Sequence, residues 1–321
     1  VKILLCLLAL LLPAAAAAQE YPSKPIRLVI PFGPGSLADA VPRLIQPALE
    51  AKLGQRIVIE HRPGAGGNVG AQAVVDAPPD GYTLMMAATN NLVVNQYVFR
   101  DMKFDPLTDL QPVALVAEVP LILQVHPSLP ARTLREFVNH AKAHPGKLNY
   151  GSPSTGTLPH LAMEILARTA GLKLVHVPFK GGAPAMNALM ANDVQAMLIG
   201  YATTAGQIRG GQVLPIAVAA GSRLAALPQV PTFEEAGFPT LQAAVPSNWW
   251  GMVAPKGTHG AIVQRWSSEI RAALADPATR QKYEDLGLTP IGSSPEAFAA
   301  GLPEQARKWE AVLRAMGSVT N

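Results

Sequence analysis

Short apolar runs alternate along this chain with segments whose apolar positions recur every three or four residues. Ile26–Ile30, 56–60 and Thr83–Ala88 read as strands. Helical patterns occupy about 39–53, 70–77 and 90–99, and Asp80–Gly81 marks a turn before the third strand. Segment 113–125 is strand-rich and is expected to carry the chain across a hinge. Beyond it, a helix over 133–143 has Thr133 as its cap and Glu136 three residues on, the pattern of a capping box. Strands at 148–150, 173–177, 196–199 and 213–219 then alternate with helices at 161–170 and 183–191. A strand near 249–253 returns to the first half, and helices at 261–275, 277–286 and 295–315 close the chain. Strands alternating with helices predict βαβ units and parallel sheets. One sheet interrupted by another predicts an α/β chain of two lobes, 19–122 with 243–321 forming the first and 123–242 the second.

Two glycine-rich stretches leave a predicted strand and enter a predicted helix: PFGPGSLAD at 31–39 and GSPSTGTLPH at 151–160. The first backbone N–H groups of a helix have no partner within it, so each start offers an anion site. Two such starts, far apart in sequence, suggest one small carboxylate gripped from two sides.

Composition narrows the class. At 321 residues and 49% hydrophobic, with only 15% charged, the chain can build a substantial core and is not disordered. Its 30 prolines imply many short connections. Residues 1–18 read VKILLCLLALLLPAAAAA: a basic Lys2, an apolar run, Pro13 and small residues. That is the pattern of a secretory signal peptide cleaved near Ala18–Gln19, and the apolar run is short of the ~20 residues of a membrane span. The single cysteine, Cys6, lies inside it, so the mature chain is expected to have no disulfide and no cysteine metal site. Net charge is +4, or +3 without Lys2, and the basic residues are scattered, which gives nucleic-acid binding no support. No cofactor or metal is expected, and a monomer is.

Several strings in order carry a resemblance: PIRLVIPFGPGSLAD, LGQRIVIEHRPGAGGNVGA, PPDGYTL, FDPLTDLQPVA, HPGKLNYGS, HVPFKGGAPAMNALMANDVQAM, LPQVPTFEEAGFP and ALADPATRQKYEDLG. Together they cover nearly the whole mature chain. They resemble the extracytoplasmic solute receptors of tripartite tricarboxylate transporters, often called Bug receptors. The resemblance implies a type II periplasmic-binding-protein fold, with two lobes of mostly parallel sheets and an interlobe cleft. It also implies a periplasmic location, a carboxylate captured by lobe closure, and delivery to a membrane permease. A ligand sensor for a membrane signalling protein is the alternative, because the same closure creates a new surface.

The resemblance also places candidate contacts. In the first loop these are Phe32, Gly35, Ser36, Leu37, Ala38 and Asp39. The family usually has a second glycine, then Ser, Thr and Asp; here Gly35 and Asp39 match, Leu37 and Ala38 are apolar, and Ser36 restores one hydroxyl. A less polar or differently shaped ligand than small amino or hydroxy acids follows. Asp39 is expected to cap the helix rather than face an anion. In the second loop the candidates are Ser152, Ser154, Thr155, Gly156 and Thr157, with Ser154 standing where the family has glycine. His160 either holds this loop or touches the ligand. Thr89, Asn90 and Asn91 follow a strand that should end at the cleft. Family members often carry an acid near position 200; here Gly200, Tyr201 and Thr203 occupy that region, which removes a partner for an amino group. RPGAGG at 62–67 reads as a structural turn, and PFKGGAP at 178–184 as a turn whose Lys180 is as readily solvated as anion-facing. One of Trp249 and Trp250 is a candidate lining residue, with core packing as the alternative.

An enzyme is not expected. Ser152 or Ser154 with His160 suggests a serine hydrolase only remotely, since no Gly-x-Ser-x-Gly elbow is present. His140 and His144 lie four apart without a third ligand and read as solvated.

Overall fold

The structure, a computed structural model, describes residues 21–239 and 248–316; the expected signal peptide, with Cys6, and the lobe boundary at 242–243 lie outside the described residues. The chain begins with β1 (Ile26–Ile30), α1 (Leu37–Leu53), β2 (Ile57–His61), α2 (Asn68–Val75) and β3 (Thr83–Ala88). Short helices α3 (Thr89–Val93), α4 (Asn95–Val98) and α5 (Pro106–Asp109) lead to β4 (Leu110–Glu118). The middle comprises β5 (Leu121–Val125), α6 (Leu134–Ala143), β6 (Asn149–Ser152), α7 (Leu158–Ala170), β7 (Val175–Pro178), α8 (Gly182–Met190), β8 (Ala196–Gly200), α9 (Ala205–Arg209) and β9 (Leu214–Ala219). The chain then continues through β10 (Trp249–Pro255), α10 (Gly260–Ala275), α11 (Pro277–Asp285), β11 (Thr289–Pro290) and α12 (Pro295–Met316).

These strands form two sheets, ordered β11-β4-β10-β3-β1-β2 and β7-β6-β8-β5-β9. Each is mixed rather than mostly parallel. The βαβ units supply the parallel pairs β1–β2, β1–β3, β6–β7 and β6–β8. β10 runs antiparallel to both its neighbours, and so does β5. Both of these strands lie next to a passage between the sheets. The chain leaves the first sheet after Glu118 and enters the second at Leu121. Where it returns, the Val119 N–H donates to the Asn248 carbonyl at 2.7 Å, tying the two passages together.

Local chemistry explains the element ends. β3 is buried along its whole length, as expected of a central strand covered on both faces. α1 keeps its helix through Pro42 and Pro47 because Ala38, Val41, Ile45 and Leu49 bury one face; it stops at Gly54, whose φ of 68° suits glycine. The helix expected over 90–99 is two short ones, broken at Val94, where φ is −121°. At α6, Thr133 accepts from the Glu136 N–H as expected, but the Glu136 carboxylate accepts from Arg132 N, one residue before the cap, so the box is offset.

The two lobes touch. Beside α4, the Phe99 ring lies over Gly156: a Cβ built on that glycine would stand 2.8 Å from Phe99 Cε2. Gly66, from the same lobe as Phe99, faces the Thr155 carbonyl at 3.4 Å by the same construction.

Candidate ligand-binding cleft

Helix starts from both lobes converge on one cavity of about 60 Å³. Ser36, Leu37 and Ala38 bring the start of α1; Thr157, Leu158 and Pro159 bring that of α7; Gly181 and Gly182 bring that of α8. At ~10–15 Å³ per water the volume suits about four to six waters, or a small acid. Pro159 has no N–H, so the amides left at these starts belong to Leu37, Ala38, Leu158 and Gly182. The remaining wall is largely apolar: Phe32, Ala88, Leu121, Pro153, Ile199 and Trp250, with Asn90, Asn248, Gly200 and Thr203 completing it. No lining side chain among the described residues is charged.

Two buried donors in this wall lack a hydrogen-bond partner among the described residues: the Ser36 hydroxyl and the Trp250 indole N–H. Leaving such a group unsatisfied costs about 1–3 kcal/mol. Ser36 holds the N-cap position of α1, yet its side chain makes no cap bond. Asp39 does not cap the helix either, which corrects the sequence expectation: the helix begins at Leu37, so Asp39 sits at its third residue and bonds backward to the loop. Its carboxylate accepts from Gly35 N at 3.2 Å and from Arg43 and His61 at 3.0 Å each. Burial pushes the Asp39 carboxyl up, but these bonds outweigh it and hold it below the ordinary value. Gly35 and Asp39 therefore brace the loop and do not line the cavity.

Of the other sequence candidates, Phe32, Ser36, Leu37, Ala38, Asn90, Thr157, Gly200 and Thr203 line it. Thr89, Asn91, Ser152, Ser154, Thr155, Gly156, His160 and Tyr201 do not. Thr89 Oγ1 bonds the Trp249 backbone, accepting from its N–H at 2.8 Å. Asn90, Asn91 and Asn95 all donate to one acceptor, the Gly66 carbonyl, at 2.7, 3.0 and 3.2 Å. The RPGAGG turn is thus held by Asn90 and Asn91, which sequence assigned to ligand, and by Asn95, which it did not. Asn90 spends its second N–H on Asn95 Oδ1, so its side chain has no N–H left for a ligand. Tyr201 is buried with Ile122, Val218 and Leu227.

Behind the second loop, the buried Ser152 and His160 cluster with the half-buried His176. Ser152 Oγ meets His176 Nε2 at 2.7 Å, His160 Nδ1 accepts from Gly156 N at 3.1 Å, and the two imidazoles stack at 4.0 Å. Burial, aided by the neighbouring His176, pushes His160 down to about 3, and burial pushes His176 down to about 4. Tyr150 stacks on both rings and donates to Glu164. His160 holds the loop from behind.

Sequence reasoning missed the third helix start. Gly181–Gly182 before α8 carries the same signal as the other two loops, a glycine pair between strand and helix, but Lys180 drew the attention. Lys180 contributes its carbonyl near Gly33 instead. Leu121, Ile199, Ala88, Pro153 and Asn248 carried no sequence signal, because their roles depend on where β5, β8 and the crossing segments meet.

Residues 41–318 match the family described as "Tripartite tricarboxylate transporter family receptor". Protein BugT of Bordetella pertussis is 31% identical over 306 residues, covering 95% of this chain and 93% of BugT. A solved R. palustris protein with adipate is 31% identical at a TM-score of 0.89, covering 93% of this chain and 99% of its own. MatC from Rhodopseudomonas palustris, with bound malate, is 32% identical at 0.86, covering 91% and 100%. Among the described residues no helix is long and apolar enough to cross a membrane. With its two mixed sheets, its interlobe cavity and these matches along nearly its whole length, the chain belongs to the tripartite tricarboxylate transporter receptor family.

Proposed function

We propose that this protein is a periplasmic receptor that captures a small carboxylate between its lobes and presents the closed form to a membrane permease. The observation that carries the reading is the pair of unsatisfied buried donors, Ser36 Oγ–H and Trp250 Nε1–H, beside the helix starts in the interlobe cavity. Donors without acceptors at positive helix ends call for an anion. The relatives bound to adipate and malate belong to the same chemical class. The signal-like segment 1–18 and the family membership support the periplasmic address. The lobe division, 19–122 with 243–321 against 123–242, draws support from the passage of the chain between β4 and β5.

The magnitudes are adequate. A partly buried helix start contributes up to ~2 kcal/mol to an anion, and a hydrogen bond to a charged group ~1.5–3 kcal/mol. Three starts and two such bonds are of the size of the about −8 kcal/mol of a micromolar receptor, before ordering costs. The ligand body meets Phe32, Leu37, Leu121 and Ile199, and among the described residues no acidic side chain lines the cavity for an ammonium group. We therefore read the ligand as an organic acid with an apolar body, not an amino acid. The Ser152–His176 contact is half-buried and lies outside the cavity, so we assign it a structural role and no catalytic one.

Mass spectrometry of the native protein, purified without refolding, together with a thermal-shift screen, tests this. Retention of an organic acid, and stabilisation by adipate or hexanoate but not by aspartate or glutamate, is expected. Stabilisation by amino acids, or by citrate and malate alone, contradicts the proposed ligand class.

A further inference from the structure

The adjacent tryptophans of β10 have opposite fates. Neighbours on a strand point to opposite faces. Trp249 turns toward α12, packs edge-on against Phe298 at 5.2 Å and donates its indole N–H to Gln305 Oε1 at 2.7 Å. Its polar atom is satisfied within the fold. Trp250 turns the other way, into the cleft. Its ring is held edge-on by Phe32 at 5.8 Å and 86°. Its strand neighbours are Ala88 and Ala117, small residues on either side. Trp250 and Ser36 both line the cavity, and the indole N–H of the one and the hydroxyl of the other are buried with no acceptor among the described residues. Sequence left the two tryptophans undistinguished; the satisfaction of one and not the other separates them.

We infer that Trp250 is the residue that selects for a carboxylate, donating its indole N–H, together with the Ser36 hydroxyl, to one ligand carboxylate group. The inference rests on reading the cleft as a carboxylate site and adds which lobe engages first. Both donors, and the α1 start beside them, belong to the lobe built on β1, β3 and β10. That lobe offers a grip before closure. The starts of α7 and α8 come from the other lobe and complete the site when it closes. Phe32 fixes the indole, so little order remains to be gained on binding.

The test uses the protein without its signal segment, isothermal titration with two series of linear acids, acetate to octanoate and succinate to suberate, and the matching amides. Trp250→Phe keeps most of the ring and removes the N–H; Ser36→Ala removes a hydroxyl with no hydrogen-bond partner among the described residues. Each is expected to weaken the best-bound acid by about tenfold or more while changing the amide's affinity much less. Trp249→Phe is expected to lower the unfolding temperature and leave acid affinity unchanged. The indole N–H resonance of Trp250 in the unsubstituted protein is expected to shift on titration with the acid. Equal losses for acid and amide would make Trp250 a packing residue and overturn the inference. Unchanged acid affinity in Ser36→Ala, with a static indole resonance, would do the same even if Trp250→Phe fails to fold. Failure of the unsubstituted protein to bind any acid of either series would overturn the reading of the cleft itself.

Discussion

Leu37, at the start of α1, closes over Gly200, at the end of β8: a Cβ built on Gly200 would stand 2.9 Å from Leu37 Cδ2 and 2.8 Å from Val119 Cγ1. The two residues come from different lobes. Position 200 has an ordinary φ of −66°, so its demand for glycine is purely one of space. An enlarged side chain at 200 therefore competes with lobe closure. Gly200→Asp is expected to weaken acid binding by about tenfold or more and to block the compaction seen by small-angle scattering on adding acid. The double variant Leu37→Ser with Gly200→Asp is expected to recover closure in part, because it removes the Leu37 contact and leaves the one with Val119.

Phe99 packs across the lobes on Gly156 and, within its own lobe, on Gly66. Its truncation removes the apolar contact across the lobes at Gly156 as well as packing within its own lobe. Phe99→Ala is expected to speed acid release by about tenfold, the worth of roughly 1.4 kcal/mol, with a smaller effect on association. Stopped-flow displacement of bound acid measures both rates. Unchanged release would mean the ring serves its own lobe only.

The Gly66 carbonyl gathers three side-chain amides, and Asn95 also donates to Asn68 Oδ1 at 2.5 Å. Asn95 is fully buried and absent from the cavity wall. Asn95→Ala should then cost stability by about 1–3 kcal/mol, a drop in unfolding temperature of roughly 2–12 °C for a chain of this size, and should spare affinity where the fold persists. Thermal denaturation with titration of the folded variant separates the two.

Acid should loosen the second loop. His160 and His176 lie near 3 and 4 when folded and near the ordinary 6.5 when unfolded. Between those values the unfolded chain binds more protons, so stability falls as pH is lowered. Their contribution is complete above about pH 6.5 and is lost as pH drops toward about 4 for His176 and about 3 for His160. Asp39, held below its ordinary value, adds a further loss only at more acidic pH. Denaturant unfolding across pH 4–7 should show this slope, and His176→Gln should flatten it.

The fold was largely legible because strand and helix periods differ and because βαβ order leaves a plain trace. Ile26–Ile30 and Thr83–Ala88 match their strands residue for residue. The mixed sheets were less legible, since the direction of β5 and β10 depends on how the chain passes between lobes. At the site, backbone donors were readable from glycine before a helix, as at Ser36 and Thr157. Side-chain donors were not: whether Asn91 or Ser152 serves ligand or loop depends on an acceptor distant in sequence, Gly66 or His176. Trp249 and Trp250 are identical in type and adjacent, and only the partner at Gln305 tells them apart.

A crystal structure with adipate or hexanoate, whichever stabilises the protein more, tests the central claim most directly. The account predicts a carboxylate within hydrogen-bond reach of Ser36 Oγ, Trp250 Nε1 and the Leu37 N–H, with the α7 and α8 starts closed over the same molecule. An acid seated elsewhere, such as the outer groove between Val69 and Phe104, with the Ser36 and Trp250 donors still unpaired, would contradict it.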